Sequence, residues 1–213
     1  MGSVRVTQSK ILQIIKKRRS VRKYSHRNVS KSALLKILEG ARWAPSAHNA
    51  QPWRFIILTE MEDKKRLAEA MAEEWNKDLI KNGVSKNERD LLLEASIECF
   101  TQAPIVIVAC VSMEEMDKYP DEKRQRFEHL MATQSLAAAI QNMLLVAHSE
   151  GLGACWFCAP LFCQDVVKRT LGILEDIEPQ ALITFGYPDE KPDPPDRKSL
   201  EEIVYKGMWG GRL

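Results

Sequence analysis

Arg18, Ser20 and Arg22 stand two residues apart in the stretch KKRRSVRKYSHR, Lys16 to Arg27, which holds seven Lys or Arg and no acid. If the chain is extended there, the three side chains point the same way. Two guanidiniums and a hydroxyl on one side form a receptor for a phosphate dianion, because guanidinium forks hold phosphate oxygens through paired, charge-assisted bonds. Plainer uses compete. Lys16, Lys17 and Arg18 at a helix end would complement its dipole, and a basic run can mark a nucleic-acid patch. That patch would lack interleaved aromatics, and the formal net charge is only +2, which argues against a dedicated nucleic-acid surface.

A second stretch, APSAHNAQPWRF from Ala44 to Phe55, puts Ser46, His48, Asn49 and Gln51 in an eight-residue loop, PSAHNAQP. Amide side chains offer a donor and an acceptor together, which suits reading the edge of a heterocycle; otherwise the loop is only a polar turn. A third, GLGACWFCAP from Gly151 to Pro160, carries Cys155-x-x-Cys158. A zinc site needs two further ligands at sensible spacing. Cys163 makes no second pair and the four histidines are scattered, so no metal is expected and the thiols read as small buried hydrophobes. There is no G-x-G-x-x-G, G-x-S-x-G or H-E-x-x-H. The chemistry is expected to come from a bound cofactor.

The elements that must position these stretches follow from periodicity and punctuation. Residues 8–18 read as a short helix. Ser30 reads as the N-cap of a second, which should fail near Ala44 because Pro45 disfavours the α region for its predecessor. Trp53–Leu58 is a buried strand, 61–81 and 87–100 are amphipathic helices, and IVIVACV after Pro104 is a core strand. A charged loop leads into a long helix, 123–149, whose second half, LAAAIQNMLLVA, is apolar nearly all round and must be buried on most faces. Gly151 should cap it. ACWFC and Ala181–Phe185 are the remaining strands, with a helix at Gln164–Leu171 between them. The tail from Pro188 holds a short helix at Leu200–Val204 and too few apolar residues to fold alone. The sum is a mixed α+β chain with four core strands.

The totals agree with this. A chain of 213 residues fits one domain, 1–213, with 188–213 as an extended tail. The five cysteines are an odd number, and MGSVRVTQSK has no apolar run, so a reducing, cytoplasmic setting is expected. Leu136–Ala147 is too short to span a bilayer and carries Gln141 and Asn142, so no membrane association is expected.

Taken in order, Arg18-Arg19-Ser20-Val21-Arg22, then Ala44-Pro45-Ser46-Ala47-His48-Asn49-Ala50-Gln51-Pro52-Trp53, then Gly151-Leu152-Gly153-Ala154-Cys155-Trp156, then Gly186-Tyr187-Pro188 with Arg197-Lys198-Ser199-Leu200-Glu201-Glu202-Ile203-Val204, the chain resembles the nitroreductase family of flavoproteins. The resemblance implies an FMN-binding α/β sandwich, with a central, mostly antiparallel sheet flanked by helices and a long core helix. It implies a homodimer with two sites at the interface, each built from both chains, and the tail packed on the partner.

The resemblance also implies roles. Arg18 and Ser20, with Arg19 in the same motif, hold the FMN phosphate and ribityl chain; Arg197 and Lys198 approach that phosphate from the tail. Arg22 lies nearer the pyrimidine edge. Pro45, Ser46 and Asn49, with Gln51, come from the other subunit and line the isoalloxazine. The backbone of Trp156, Phe157, Cys158 and Ala159 runs beside the ring and offers an N–H to N5 or O4. Family members often have Gly where Cys158 stands. The implied reaction is ping-pong hydride transfer from NAD(P)H through flavin N5 to a small acceptor such as a nitroaromatic, quinone or enone. The alternatives are another reaction on the same scaffold (flavin-fragmenting cobalamin-ligand synthesis, dehalogenation or enoyl reduction), with segments 75–90 and 113–122 covering the flavin, or a nucleic-acid or regulatory binding protein using the 16–27 patch.

Overall fold

The computed structural model describes residues 9–212. Helix α1 spans Lys10–Lys17, and the Ser9 hydroxyl accepts from the Leu12 amide at its start; the expected first residue, Gln8, lies outside the described residues. Helix α2 is Lys31–Arg42, capped by Ser30 through the Ala33 amide at 3.2 Å, and it stops before Pro45 as expected. Then come β1 (Trp53–Leu58), α3 (Met61–Lys81), α4 (Lys86–Thr101), β2 (Ile105–Ser112), α5 (Glu122–Ser149), β3 (Gly153–Phe157), α6 (Gln164–Leu171), β4 (Ile177–Gly186) and α7 (Leu200–Ile203). Short 3-10 turns occupy Ala47–Asn49 and Ala159–Phe162.

The sheet order is β1-β2-β4-β3, antiparallel throughout. All eight residues of β2 are buried, which is why that strand reads as an unbroken apolar run rather than an alternation. Ile105, Ile107, Ala109 and Val111 face Leu136, Ile140 and Met143 of α5 and Ile37 and Ala41 of α2. Val106, Val108 and Cys110 face Leu67 and Met71 of α3, Phe100 of α4 and Val167 of α6. Helices therefore cover both sheet faces. Each fully buried side chain such as Ile107 or Phe185 contributes roughly 1.5–3 kcal/mol. Lys64 of α3 is buried too; its ammonium donates to the Ala103 carbonyl at 2.6 Å, and burial holds its pKa below the ordinary lysine value.

One strand differs from expectation. β4 begins at Ile177, four residues before Ala181. Pro179 offers no N–H to a ladder, and Glu178 and Gln180 break the apolar run. The structure absorbs them with a register shift opposite Ala109 and Cys110: Ala109 pairs with Ala181 and Cys110 with Pro179, leaving Gln180 as the extra residue of a bulge.

Helix α5 is long and apolar enough to cross a membrane by length and composition. Here its apolar side packs on α2, β1, β2 and β3, the position of a core helix. Gly151 closes it at φ 77°, the left-handed conformation expected of a glycine cap.

The first turn of the tail is fixed. The Ser25 amide donates to the Tyr187 carbonyl at 2.9 Å and the Asp189 amide to the Lys23 carbonyl at 3.0 Å. Glu190 accepts from the amides of Arg22 at 2.6 Å and Lys23 at 3.2 Å. Farther on, Leu200, Ile203, Met208 and Trp209 are exposed.

Candidate functional site

The basic stretch is extended, the condition under which Arg18, Ser20 and Arg22 share a side. Helix α1 ends at Arg18, whose ψ is 137°. Ser20 then bridges Ala154 of β3, and the Val21 amide donates to the Ala154 carbonyl at 3.0 Å. Val21 is buried under the sheet while Arg22 is exposed, so Ser20 and Arg22 turn the other way. Gly153 allows this docking: a Cβ there would meet Val21 at 2.7 Å. The Cys155 thiol senses the group. Burial raises its pKa, while the Arg22 and Arg18 charges and Ser20 pull the other way. Arg19 has a different task. Its guanidinium donates to the carbonyls of Lys16 and Arg18, both at 2.8 Å, and so closes α1.

Beside this cationic edge lies an aromatic cleft of about 480 Å³, lined by Trp75, Phe100, Phe157, Ala159 and Phe162 among others. Trp75 comes from the last turns of α3, so the 75–90 segment does border the cleft, chiefly as helix. Phe157 meets Phe100 edge-on, with ring centroids 5.1 Å apart, and the Arg22 guanidinium lies 6.0 Å from the Phe157 centroid. At the end of β3 the Cys158 N–H has no partner among the described residues, and the Cys158 thiol is exposed. Trp156 points to the other sheet face, toward the α5 core, where its indole N–H is buried without a partner. No sequence motif marks Trp75, Phe100 or Phe162. For Trp75 and Phe100 only helical periodicity on α3 and α4 is visible, and that reads equally well as core, while Phe162 lies in a short 3-10 turn.

Loop 45–51 has another character. His48, Asn49 and Gln51 adopt φ of 54°, 55° and 48°, a region that costs a non-glycine residue roughly 1–2 kcal/mol and that clusters at functional sites. The Ser46 hydroxyl accepts from the Gln51 amide, and the Ala47 amide donates to the Ser135 hydroxyl, both at 3.1 Å. Pro45, Asn49 and Gln51 are exposed. The loop leads into β1, at the opposite sheet edge from β3. Three strand spacings, about 14 Å, separate the two edges, so one chain does not bring 45–51 to Arg18–Arg22 and Trp156–Ala159. Arg197 and Lys198 are also exposed; Arg197 donates to its neighbour's carbonyl, Asp196, at 3.3 Å, and neither residue hydrogen-bonds or ion-pairs with the basic stretch.

With this geometry in view, the comparisons with known proteins are specific. The nitroreductase family profile matches residues 15–187. An NADH dehydrogenase/NAD(P)H nitroreductase of Methanothermobacter thermautotrophicus is 31% identical over 205 residues, covering 93% of this chain and 90% of the relative. A nitroreductase of Desulfovibrio desulfuricans, solved in complex with FMN, superposes with a TM-score of 0.72 at 25% identity, covering 95% of this chain and 99% of that one. A BluB-like flavoprotein of Clostridium difficile shares the fold, with a TM-score of 0.76 at 24% identity over 92% and 98% of the two chains. The chain belongs to the nitroreductase family, and on that footing it is an oxidoreductase.

Proposed function

We propose that the chain binds FMN and passes electrons from NAD(P)H to a small organic acceptor, as a homodimer whose two sites each draw on both chains. The observation that carries this is the union of Arg18, Ser20 and Arg22 on one side of an extended segment with an aromatic cleft at Phe157 and an unbonded N–H at Cys158. A planar ring with an anionic tail needs those three features: a flat apolar slot, a cationic rim and a free donor at the ring edge. The names of the relatives favour the same cofactors: NAD(P)H for the Methanothermobacter protein and FMN for the Desulfovibrio one.

In this reading Arg18 and Ser20 take the phosphate, Arg197 and Lys198 of the tail add charge there, and Arg22 sets a positive potential beside Phe157. The Cys158 amide donates to the ring edge; since a backbone N–H does this, a side chain in place of glycine is tolerated. Held by Arg18, Ser20 and the Cys158 amide, FMN would supply hydride-transfer chemistry between reduced nicotinamide and the acceptor. Pro45, Ser46, Asn49 and Gln51 would cover the ring from the partner. Support for a partner comes from apolar side chains left in water on α1, at the end of α2 and on the tail: Ile11, Ile15, Trp43, Met208 and Trp209. A scattered few need no explanation, but this many on three elements do. In this arrangement the chain acts as one unit over 1–213, in a cytoplasmic setting where thiols stay reduced.

The nucleic-acid reading of residues 16–27 loses its footing. Val21 and Tyr24 are buried, Arg19 closes a helix, and Arg27 stacks on Tyr187 at 3.8 Å, so much of the stretch is committed to the fold.

The deciding experiment is an absorption spectrum of freshly purified protein, before and after anaerobic NADH or NADPH. A flavin band that bleaches is expected. A band that persists would retain FMN and remove NAD(P)H as donor, and a colourless protein that takes up no added FMN would overturn the proposal.

A further inference from the structure

His48, Asp117 and Glu128 belong to three different elements: the strained loop before β1, the loop between β2 and α5, and the second turn of α5. Their donor atoms lie within 4.8 Å of one another. Glu128 is 3% exposed, and its Oε2 has no hydrogen-bond partner. Among the described residues its only ion-pair partner is His48; no Lys or Arg reaches it. A buried carboxylate needs a counter-charge. We propose that these three side chains form a site for a divalent transition ion of the Zn²⁺ type.

The spacing favours a metal over a plain imidazolium–carboxylate pair. His48 Nε2 stands 3.4 Å from Glu128 Oε2. That is long for a charge-assisted hydrogen bond, which closes to about 2.7–2.9 Å. It is the edge of a zinc tetrahedron: ligand atoms each about 2.0–2.2 Å from the ion stand about 3.3–3.5 Å apart. Asp117 Oδ2 is 3.9 Å from the same nitrogen and within 4.8 Å of the Glu128 ligand oxygen, and its side chain is 58% exposed and so free to move inward. Its neighbour Met116 is buried in the α5-side core and anchors the loop backbone there. One imidazole and two carboxylates leave a fourth position open to water, and the nitrogen ligand disfavours the all-oxygen cations Ca²⁺ and Mg²⁺. The bound ion would tie the left-handed His48 to α5 and to the 113–121 loop, and so brace loop 45–51. Sequence reading missed the trio because its members lie far apart in the chain.

The test is calorimetric titration of chelator-treated, full-length protein with ZnCl₂, and absorption titration with CoCl₂, whose visible bands report coordination. One ion per chain is expected. His48→Gln and Asp117→Asn, both at exposed positions, should each weaken binding by on the order of ten- to a hundredfold, the size seen even for residues that only support ligands. Glu128→Gln should abolish binding where the variant folds. Cys158→Ser removes the exposed thiol as a competing ligand and should bind zinc as before. No binding, binding unchanged in His48→Gln and Asp117→Asn, or binding lost in Cys158→Ser would each overturn the site. The flavin band, read separately on the same samples, keeps this outcome apart from that of the FMN proposal.

Discussion

The two edges of the sheet present opposite kinds of surface. At the β3 edge, residues 18–25 are hydrogen-bonded to β3 on one side and to the start of the tail on the other, with Val21 and Tyr24 sunk in the core. The charge there is held on a rigid bed. At the β1 edge, loop 45–51 keeps its shape through three left-handed residues and two side-chain hydroxyls, with its polar groups facing outward. One edge looks complete as it stands; the other is shaped toward something outside the chain. The proposed site, divided this way, would place its charge where the fold is stiffest and its amides where a second chain could meet them.

The sharpest way to break this comparison is complementation. Arg18→Ala and Asn49→Ala dimers should each lose most activity. If every site takes Arg18 from one chain and Asn49 from the other, subunit exchange between the two variants restores roughly a quarter of the sites, since half of the pairs are mixed and each mixed two-fold dimer has one intact site. Activity that stays at the level of the parents would place both residues in sites of one chain. Next in size, Arg18→Ala alone should weaken FMN binding by roughly ten- to a hundredfold, the 1.5–3 kcal/mol of a charge-assisted bond; flavin that survives dialysis at wild-type level would remove the clamp. Gly153→Ala should cost about 1–3 kcal/mol of stability, because its methyl must displace the Val21 side chain, and it should release flavin as well. Gln51→Gly should act in the opposite sense. Relief of the left-handed strain leaves stability unchanged or raised by up to about 1 kcal/mol, while turnover falls; a drop in the unfolding midpoint would mean the loop is not strained.

The smallest effect concerns pH. Burial pushes the Cys110 thiol from 9.0 up to about 12, and burial pushes Cys99 and Cys163 up to about 11. The folded chain keeps these protons after the unfolded chain has released its own. Their contribution to stability is whole below about pH 9 and is lost as pH climbs toward 11 and 12. Denaturant midpoints measured near neutrality and at about pH 10 should fall in the wild type and fall less in Cys110→Ala.

Much of the frame was legible because single physical signals dominated it. β2 is apolar from Ile105 to Val111, α5 has an apolar second half, and Ser30 and Gly151 mark ends whose capping chemistry is local. The start of β4 was not legible, since a proline and two polar residues hide a strand whose pairing depends on a bulge of its own at Gln180. At the site, the condition attached to the two-residue spacing of Arg18, Ser20 and Arg22 is met, because the segment is extended. The cleft walls at Trp75 and Phe100 and the trio of His48, Asp117 and Glu128 arise only from long-range packing, which no local pattern encodes.

The grip of Glu190 on the amides of Arg22 and Lys23 has a consequence for how this chain can be shortened. A protein cut after Lys191 would keep the strap that roofs the basic segment. A protein cut after Gly186 would lose it, along with Tyr187, on which Arg27 rests. Two truncations a handful of residues apart would therefore be different molecules, one merely without most of its tail, the other with its cationic edge unlatched.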